Sequence, residues 1–250
     1  MSESLEYWVW ISSMIKINPR QKYELVQYFE DPYYLWNIRK EELEKIPFIN
    51  NMMIEQLMNS KIRSGIDNLM NTIHKQKIQV VTINDPCYPE YLKNIFDPPV
   101  VIYVKGNIEK DENALAIVGS RRATQYGIDI ARAISHKLSK FGITIISGMA
   151  LGIDSQAHIG ALEAGGRTIA VLGCGLDKVY PKENKRLMES IIERGAIISE
   201  YVPGTAPMPF NFPARNRLIS GMSKGVIVIE ASEKSGSLIT ANYALEQGRE

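Results

Sequence analysis

Short apolar runs alternate with amphipathic segments along most of the chain. The runs are rich in β-branched residues and lie at positions 78–83, 100–104, 115–118, 143–146, 168–172, 196–199 and 226–229. Segments with helical periodicity, opened by capping residues or charged first turns, lie at 124–140, 154–164, 183–193 and 237–247. Because strands buried on both faces read as continuous apolar runs, we predict an α/β fold, a doubly wound Rossmann-like parallel sheet covered by helices.

The first 70 residues show a different pattern. Helical segments at 5–17, 20–29, 41–46 and 53–63 are separated by prolines at positions 19, 32 and 47, where helices end or begin. We therefore predict a small all-helical domain over residues 1–70, followed by an extended Rossmann-like domain over residues 71–250. The many aromatic residues of the first domain are interpreted as core rather than as a binding surface.

Charge is distributed unevenly along the chain. The 29 Lys and Arg residues nearly balance the 28 Asp and Glu residues, which by itself gives no reason to expect a polyanionic partner. Residues 114–225, however, carry 14 basic and 8 acidic residues, and no acidic residue occurs between Tyr201 and Ile229. An ordinary solvated surface is the alternative explanation of this local excess, but the motifs below favour an anionic ligand.

A Pro-rich segment at 206–224, which we predict to be a loop, lies within this acid-free stretch. Arg215 and Arg217 can hold phosphates, and Phe210 and Phe212 can stack on bases. Basic side chains combined with aromatic platforms are typical of sites for single-stranded nucleic acid.

The residues that follow the strands matter because ligands of such sheets bind beyond the carboxyl ends of the strands. The first core strand is followed by Gly119–Arg122, which combines a close-approach glycine, a hydroxyl and guanidinium groups that can grip a phosphate. Gly236 and Ser237 repeat this arrangement more weakly after the last strand. The alternatives are a tight turn with solvated arginines at the first position and a simple helix N-cap at the second.

Several enzyme classes lack their signatures in this chain. The dinucleotide motif G-x-G-x-x-G does not follow the first core strand, and G-x-x-x-x-G-K-[ST] does not occur. Asp154 and His158 are interpreted as a helix N-terminal carboxylate and an ordinary histidine. The two cysteines have no metal-ligand spacing, and no segment approaches the ~20 apolar residues of a membrane span. We expect a cytoplasmic, non-enzymatic protein with no cofactor and no metal.

Five segments, IVGSRRAT, ISGMALGIDSQAH, AVLGCGLDKVYP, FPARNRLISGMS and EASEKSGSLITA, together resemble the DNA-processing protein A (DprA/Smf) family. The resemblance covers roughly residues 78–250. It is weaker over the amino-terminal region, which in the family is often a sterile-alpha-motif or helix-hairpin-helix-like domain. It implies a non-catalytic, dimeric protein that binds incoming single-stranded DNA, shields it and loads RecA in natural transformation. Relatives usually continue through more of the sheet, so we expect the chain either to be a fragment, truncated at its carboxyl-terminal end, or to lack the last strands.

The resemblance also implies which residues line the DNA pocket. The family's G-S-R turn corresponds to Gly119–Arg121, and its F-P-x-R-N-R segment corresponds to Phe212–Arg217. The full predicted DNA-binding set is Gly119, Ser120, Arg121, Arg122, Phe210, Phe212, Arg215, Asn216, Arg217, Lys224, Gly236 and Ser237.

Two other functions remain open from the sequence. One is a Rossmann-like nucleotide phosphoribohydrolase of the lysine-decarboxylase-like group, with Glu230 as its acid, although the P-G-G-x-G-T signature of that group is absent. The other is an interaction scaffold, which only the aromatic amino-terminal region favours.

Overall fold

The structure is a computed structural model that describes residues 5–233 and 235–250, excluding the side chains of residues 60 and 61. The strands are β1 Gln79–Thr82, β2 Val101–Gly106, β3 Ala114–Gly119, β4 Thr144–Ser147, β5 Thr168–Val171, β6 Ala196–Ser199 and β7 Val226–Ile229. The first helices are α1 Leu5–Ser12, α2 Pro19–Phe29, α3 Pro32–Asn37, α4 Lys40–Leu43, α5 Asn51–Leu57, α6 Ser60–Ser64 and α7 Ile66–Lys75. The others are α8 Glu90–Lys93, α9 Gln125–Lys140, α10 Ile153–Glu163, α11 Lys185–Arg194, α12 Asn211–Gly221 and α13 Gly236–Glu246.

All seven strands belong to one sheet, in the order β1-β2-β6-β5-β4-β3-β7. The five strands from β6 to β7 in this order are parallel, which confirms the predicted doubly wound α/β fold. β1 and β2 differ from the prediction, because they pair antiparallel with each other, and β2 pairs antiparallel with β6. A parallel pair needs a crossover connection, usually a helix, but the segment between β1 and β2 contains only the four-residue helix α8.

The central strands form as the apolar pattern predicts. Every residue of β4, β5 and β6 is buried. Helix α9 begins at the cap Thr124, whose side chain accepts a hydrogen bond from the Gly127 amide, and it packs against α10. Gly160 makes this packing possible, because a Cβ at that position would lie 2.3 Å from the Arg132 carbonyl oxygen. Glycine at this crossing therefore lets the two helices approach closely.

The amino-terminal helices share a continuous core with the sheet. Trp8 and Trp10 are fully buried, and the Ser12 hydroxyl hydrogen-bonds the Tyr103 hydroxyl of β2 at 2.6 Å. The helical region runs to Lys75, and the segment predicted as one helix at 53–63 is divided between α5 and α6. The proposed boundary between two domains at residue 70 stays a prediction.

Among the described residues, no helix has the length and apolarity needed to cross a bilayer.

Candidate nucleic-acid interface

Two adjoining cavities open at the carboxyl edge of the parallel strands, beside the point where the strand order reverses between β3 and β7. We call them the polar cavity and the apolar cavity. The polar cavity, of about 360 Å³, is lined by the turn after β3, one face of α12 and the start of α13. The apolar cavity, of about 190 Å³, lies beside the turn after β5. A crevice at such a reversal is the usual ligand site of open α/β sheets.

The segment predicted as a Pro-rich loop is largely a helix. α12 begins at Asn211, whose side-chain amide donates a hydrogen bond to the Gly173 carbonyl at 3.0 Å. Residues two apart on a helix point about 200° apart, so Arg215 and Arg217 lie on different faces of α12. The composition identified this segment as basic and aromatic, but the helix separates its two arginines.

Arg215 lies beneath the site rather than in solvent. The residue is 3% exposed, and its Nη1 donates hydrogen bonds to the Gly148 carbonyl at 2.9 Å and to the Val171 carbonyl. Burial lowers the pKa of this guanidinium to about 10, and the nearby Asp154 carboxylate opposes the shift. Arg215 borders both cavities, yet it ties the ends of β4 and β5 to α12. These hydrogen bonds give no support to the expectation that Arg215 holds a phosphate.

Arg217 and Lys224 lie away from both cavities, which corrects their assignment to the site. Arg217 is 4% exposed and donates to Asp97 Oδ2 at 2.9 Å and to Glu200 Oε2 at 2.6 Å. The Lys224 ammonium donates to Asn113 Oδ1 at 2.9 Å, at the amino end of β3. Positions 201–229 contain no acidic residue, but the fold brings Asp97 and Glu200 from outside this stretch into contact with Arg217.

Arg121 and Arg122 provide exposed positive charge at the polar cavity. The turn that carries them is held by the Ser120 amide, which donates to the Glu230 carbonyl at 2.9 Å. Its conformation depends on Gly119, where a Cβ would lie 1.9 Å from the Ile229 carbonyl oxygen on β7. The Arg121 guanidinium lies 5.7 Å from the centroid of the Phe212 ring, so charge and ring form one surface.

Phe212 and Tyr180 form a pair of rings between the cavities. Their centroids are 5.3 Å apart and their planes are inclined by 35°. Phe212 rests on Gly173, where a Cβ would lie 2.9 Å from the ring carbon Cδ1. Sequence reasoning missed Tyr180, although its place in the segment after β5 was a usable signal. Phe210 is 69% exposed and borders neither cavity, so its predicted DNA contact has no support from this geometry.

The start of α13 forms the wall opposite Arg121. Ser235 caps the helix by accepting a hydrogen bond from the Ser237 amide at 3.2 Å, and the two hydroxyls lie 2.5 Å apart. Asn216 of α12 donates its side-chain amide to the Gly236 carbonyl at 3.0 Å. These contacts bring Asn216, Gly236 and Ser237 together at the polar cavity, and their contact with DNA stays a prediction.

Glu230 is engaged in holding the start of α9. Its carboxylate accepts hydrogen bonds from the Thr124 amide at 2.9 and 3.0 Å and from the Thr124 hydroxyl at 2.9 Å. It does not border the polar cavity. This placement argues against Glu230 as the acid of a phosphoribohydrolase.

Asp154 and His158 lie on successive turns of α10, and both are buried. Asp154 Oδ2 accepts the amides of Gly148 and Ala150, while His158 Nδ1 is 2.7 Å from the Thr168 hydroxyl. Burial lowers the pKa of His158 to about 3, so the ring is neutral. The described residues contain no group of three or more His, Cys, Asp or Glu side chains placed to hold a metal ion.

Comparison with known proteins decides the family. The family model for DNA recombination-mediator protein A matches residues 79–250. A Synechocystis protein named Smf is 40% identical over 98% of this chain, and the Streptococcus pneumoniae DNA processing protein DprA is 47% identical over 70% of it. The chain belongs to the DNA recombination-mediator protein A family. It spans 63% and 62% of the lengths of these two relatives.

Two solved structures of the family are similar to this fold. The X-ray structure of DprA from Streptococcus pneumoniae aligns with a TM-score of 0.83 at 37% identity, covering 98% of this chain and 84% of that one. DNA processing protein A from Helicobacter pylori, described with its single-stranded DNA binding mode, aligns with a TM-score of 0.62 at 34% identity. That alignment covers 68% of this chain and 78% of the Helicobacter pylori chain.

Proposed function

We propose that this family member binds single-stranded DNA at the paired cavities. The observation that carries the proposal is the exposed pair Arg121 and Arg122 beside the rings of Phe212 and Tyr180. Guanidinium groups hold phosphates, and aromatic faces stack on unpaired bases of any sequence. The single-stranded DNA binding described for the Helicobacter pylori relative supports the same ligand class.

Each cavity has a distinct task in this proposal. The polar cavity holds backbone phosphate between Arg121 and the amino end of α13, where the helix dipole favours an anion. The apolar cavity, bordered by Leu172, Gly173 and Tyr180, accepts a base next to the Phe212 ring. Arg215 and Asn216 shape the site rather than bind phosphate, because Arg215 Nη1 donates to the Gly148 carbonyl and the Asn216 side-chain amide donates to the Gly236 carbonyl.

Binding without turnover is part of the proposal. Glu230 and Asp154, of which Asp154 lines the polar cavity, both accept hydrogen bonds within the protein. Family membership supports the further roles implied by the resemblance, which are protection of incoming DNA and loading of RecA in natural transformation by a cytoplasmic homodimer.

A titration of labelled oligothymidine against a duplex of equal length tests the proposal. Single strands should bind well above duplex, because a duplex hides the base faces that the rings need. Equal affinity for both would refute it. The same preparation, incubated with nucleoside monophosphates, should release no free base. Base release that is lost in Glu230→Gln would instead support the phosphoribohydrolase.

A further inference from the structure

Helix α12 is held on the side opposite the cavities by one buried arginine. Arg217 binds Asp97 and Glu200 with side chains that are 5%, 27% and 10% exposed respectively. The helix also starts without a side-chain hydrogen bond at its cap position, Phe210. Because no side-chain cap fixes this end, the orientation of α12 depends on tertiary contacts, which include these ion pairs and the Arg215 hydrogen bonds to the ends of β4 and β5.

The two carboxylate partners of Arg217 lie on segments that the amino-terminal helix α2 contacts. Arg20 of α2 donates to the Phe96 carbonyl at 2.9 Å, next to Asp97, and its guanidinium lies 4.7 Å from the Phe96 ring centroid. Lys22 of α2 borders a small cavity together with Glu200. Helix α2 therefore lies against the two segments that carry the carboxylate partners of Arg217.

Lys22 lies beside Glu200, the carboxylate that Arg217 binds, because both line the same small cavity. Its ammonium donates to the Ser12 carbonyl at 2.7 Å. Burial lowers the pKa of Lys22 to about 8, while the Glu200 carboxylate raises it and Arg217 lowers it. With Lys22 protonated, Glu200 has two cations nearby, Arg217 and Lys22, so removal of either cation leaves less positive charge to compensate this buried carboxylate.

We propose that Arg217 is a positioning residue of the single-stranded DNA site, and that Lys22 in the helical region acts on the site through the Arg217–Glu200 ion pair. The expected effect on DNA affinity rests on the proposed function, whereas the expected effect on the stability of α12 does not. Arg217 fixes the rotation of α12 and therefore the place of Phe212, and it does not touch phosphate.

The first test is hydrogen exchange of backbone amides in the full chain without DNA. Arg217→Gln and Lys22→Met should both accelerate exchange in α12 and leave α9 unchanged. Arg167→Gln is the matched control, since Arg167 forms a comparable ion pair with Glu112 at the amino end of β5, with side chains 21% and 4% exposed. Lys16→Met controls for loss of an exposed lysine. Unchanged exchange in α12 in both Arg217→Gln and Lys22→Met would overturn the proposal.

The second test measures oligothymidine affinity across salt concentrations. Arg217→Gln should weaken binding about 2- to 30-fold, the range of coupling through contacting residues, without changing the salt slope. Arg217→Lys should restore part of the loss, because it keeps the charge. In a Phe212→Ala background, Arg217→Gln should weaken oligothymidine binding little further, because Arg217 acts through that ring. A reduced salt slope would show that Arg217 contacts a phosphate directly, and additive losses would show that it does not act through Phe212; either result would overturn the proposal.

Discussion

Replacing Phe212 by alanine tests the central claim about the site, that an aromatic face stacks on a base. The ring is half-buried between Gly173 and Tyr180, and its free face adjoins Arg121. Loss of stacking between the ring and one base reduces the binding free energy by ~1–3 kcal/mol, which corresponds to an affinity loss of about 5- to 150-fold. Fluorescence anisotropy with labelled oligothymidine measures this directly. The salt slope should stay unchanged, because no charge is removed.

Phe210→Ala is the matched control, since this ring lies two residues away on the same segment, is 69% exposed and borders neither cavity. It should bind oligothymidine nearly as the unmodified chain does. Equal losses in both variants would show that the segment interacts only through general hydrophobicity. A large drop in the melting temperature of Phe212→Ala with intact binding would show instead that the ring serves the core, and the stacking argument would fail.

Three further substitutions test charge, structure and pH dependence. Arg121→Ala should lower the slope of log K against log salt by about 0.7, the value for one phosphate contact on a single strand; an unchanged slope would contradict the assignment. Glu230→Gln should lower the melting temperature by about 2–4 °C, because it weakens the acceptor of the Thr124 hydrogen bonds by roughly 1 kcal/mol, and should leave turnover absent. His158 has a folded pKa lowered to about 3, so its contribution to stability is complete above the unfolded pKa of about 6.5 and is lost as the pH falls toward 3. Denaturant titrations of His158→Gln should therefore show a weaker loss of stability over that range.

The alternation of apolar runs and amphipathic helices was enough to predict the fold. The central parallel strands β4, β5 and β6 are buried on both faces, so each of them reads as an apolar run in the sequence. The turn at Gly119–Arg122 was predictable for the same reason, because its chemistry lies in consecutive residues at a strand end. The antiparallel direction of β1 and β2 was not, since apolar runs carry no information about strand direction.

Only the tertiary structure determines which side chains of α12 face the cavities and which face away from them. Its residues read as one basic, aromatic segment, yet Phe212 faces the cavities while Arg217 faces Asp97 and Glu200. Those carboxylates are separated from Arg217 in sequence by 120 and 17 residues. Tyr180 likewise became part of the site only when the chain folded. Composition and motif spacing specify which groups are available, but ion pairing and ring contacts depend on distances that only the packed chain sets.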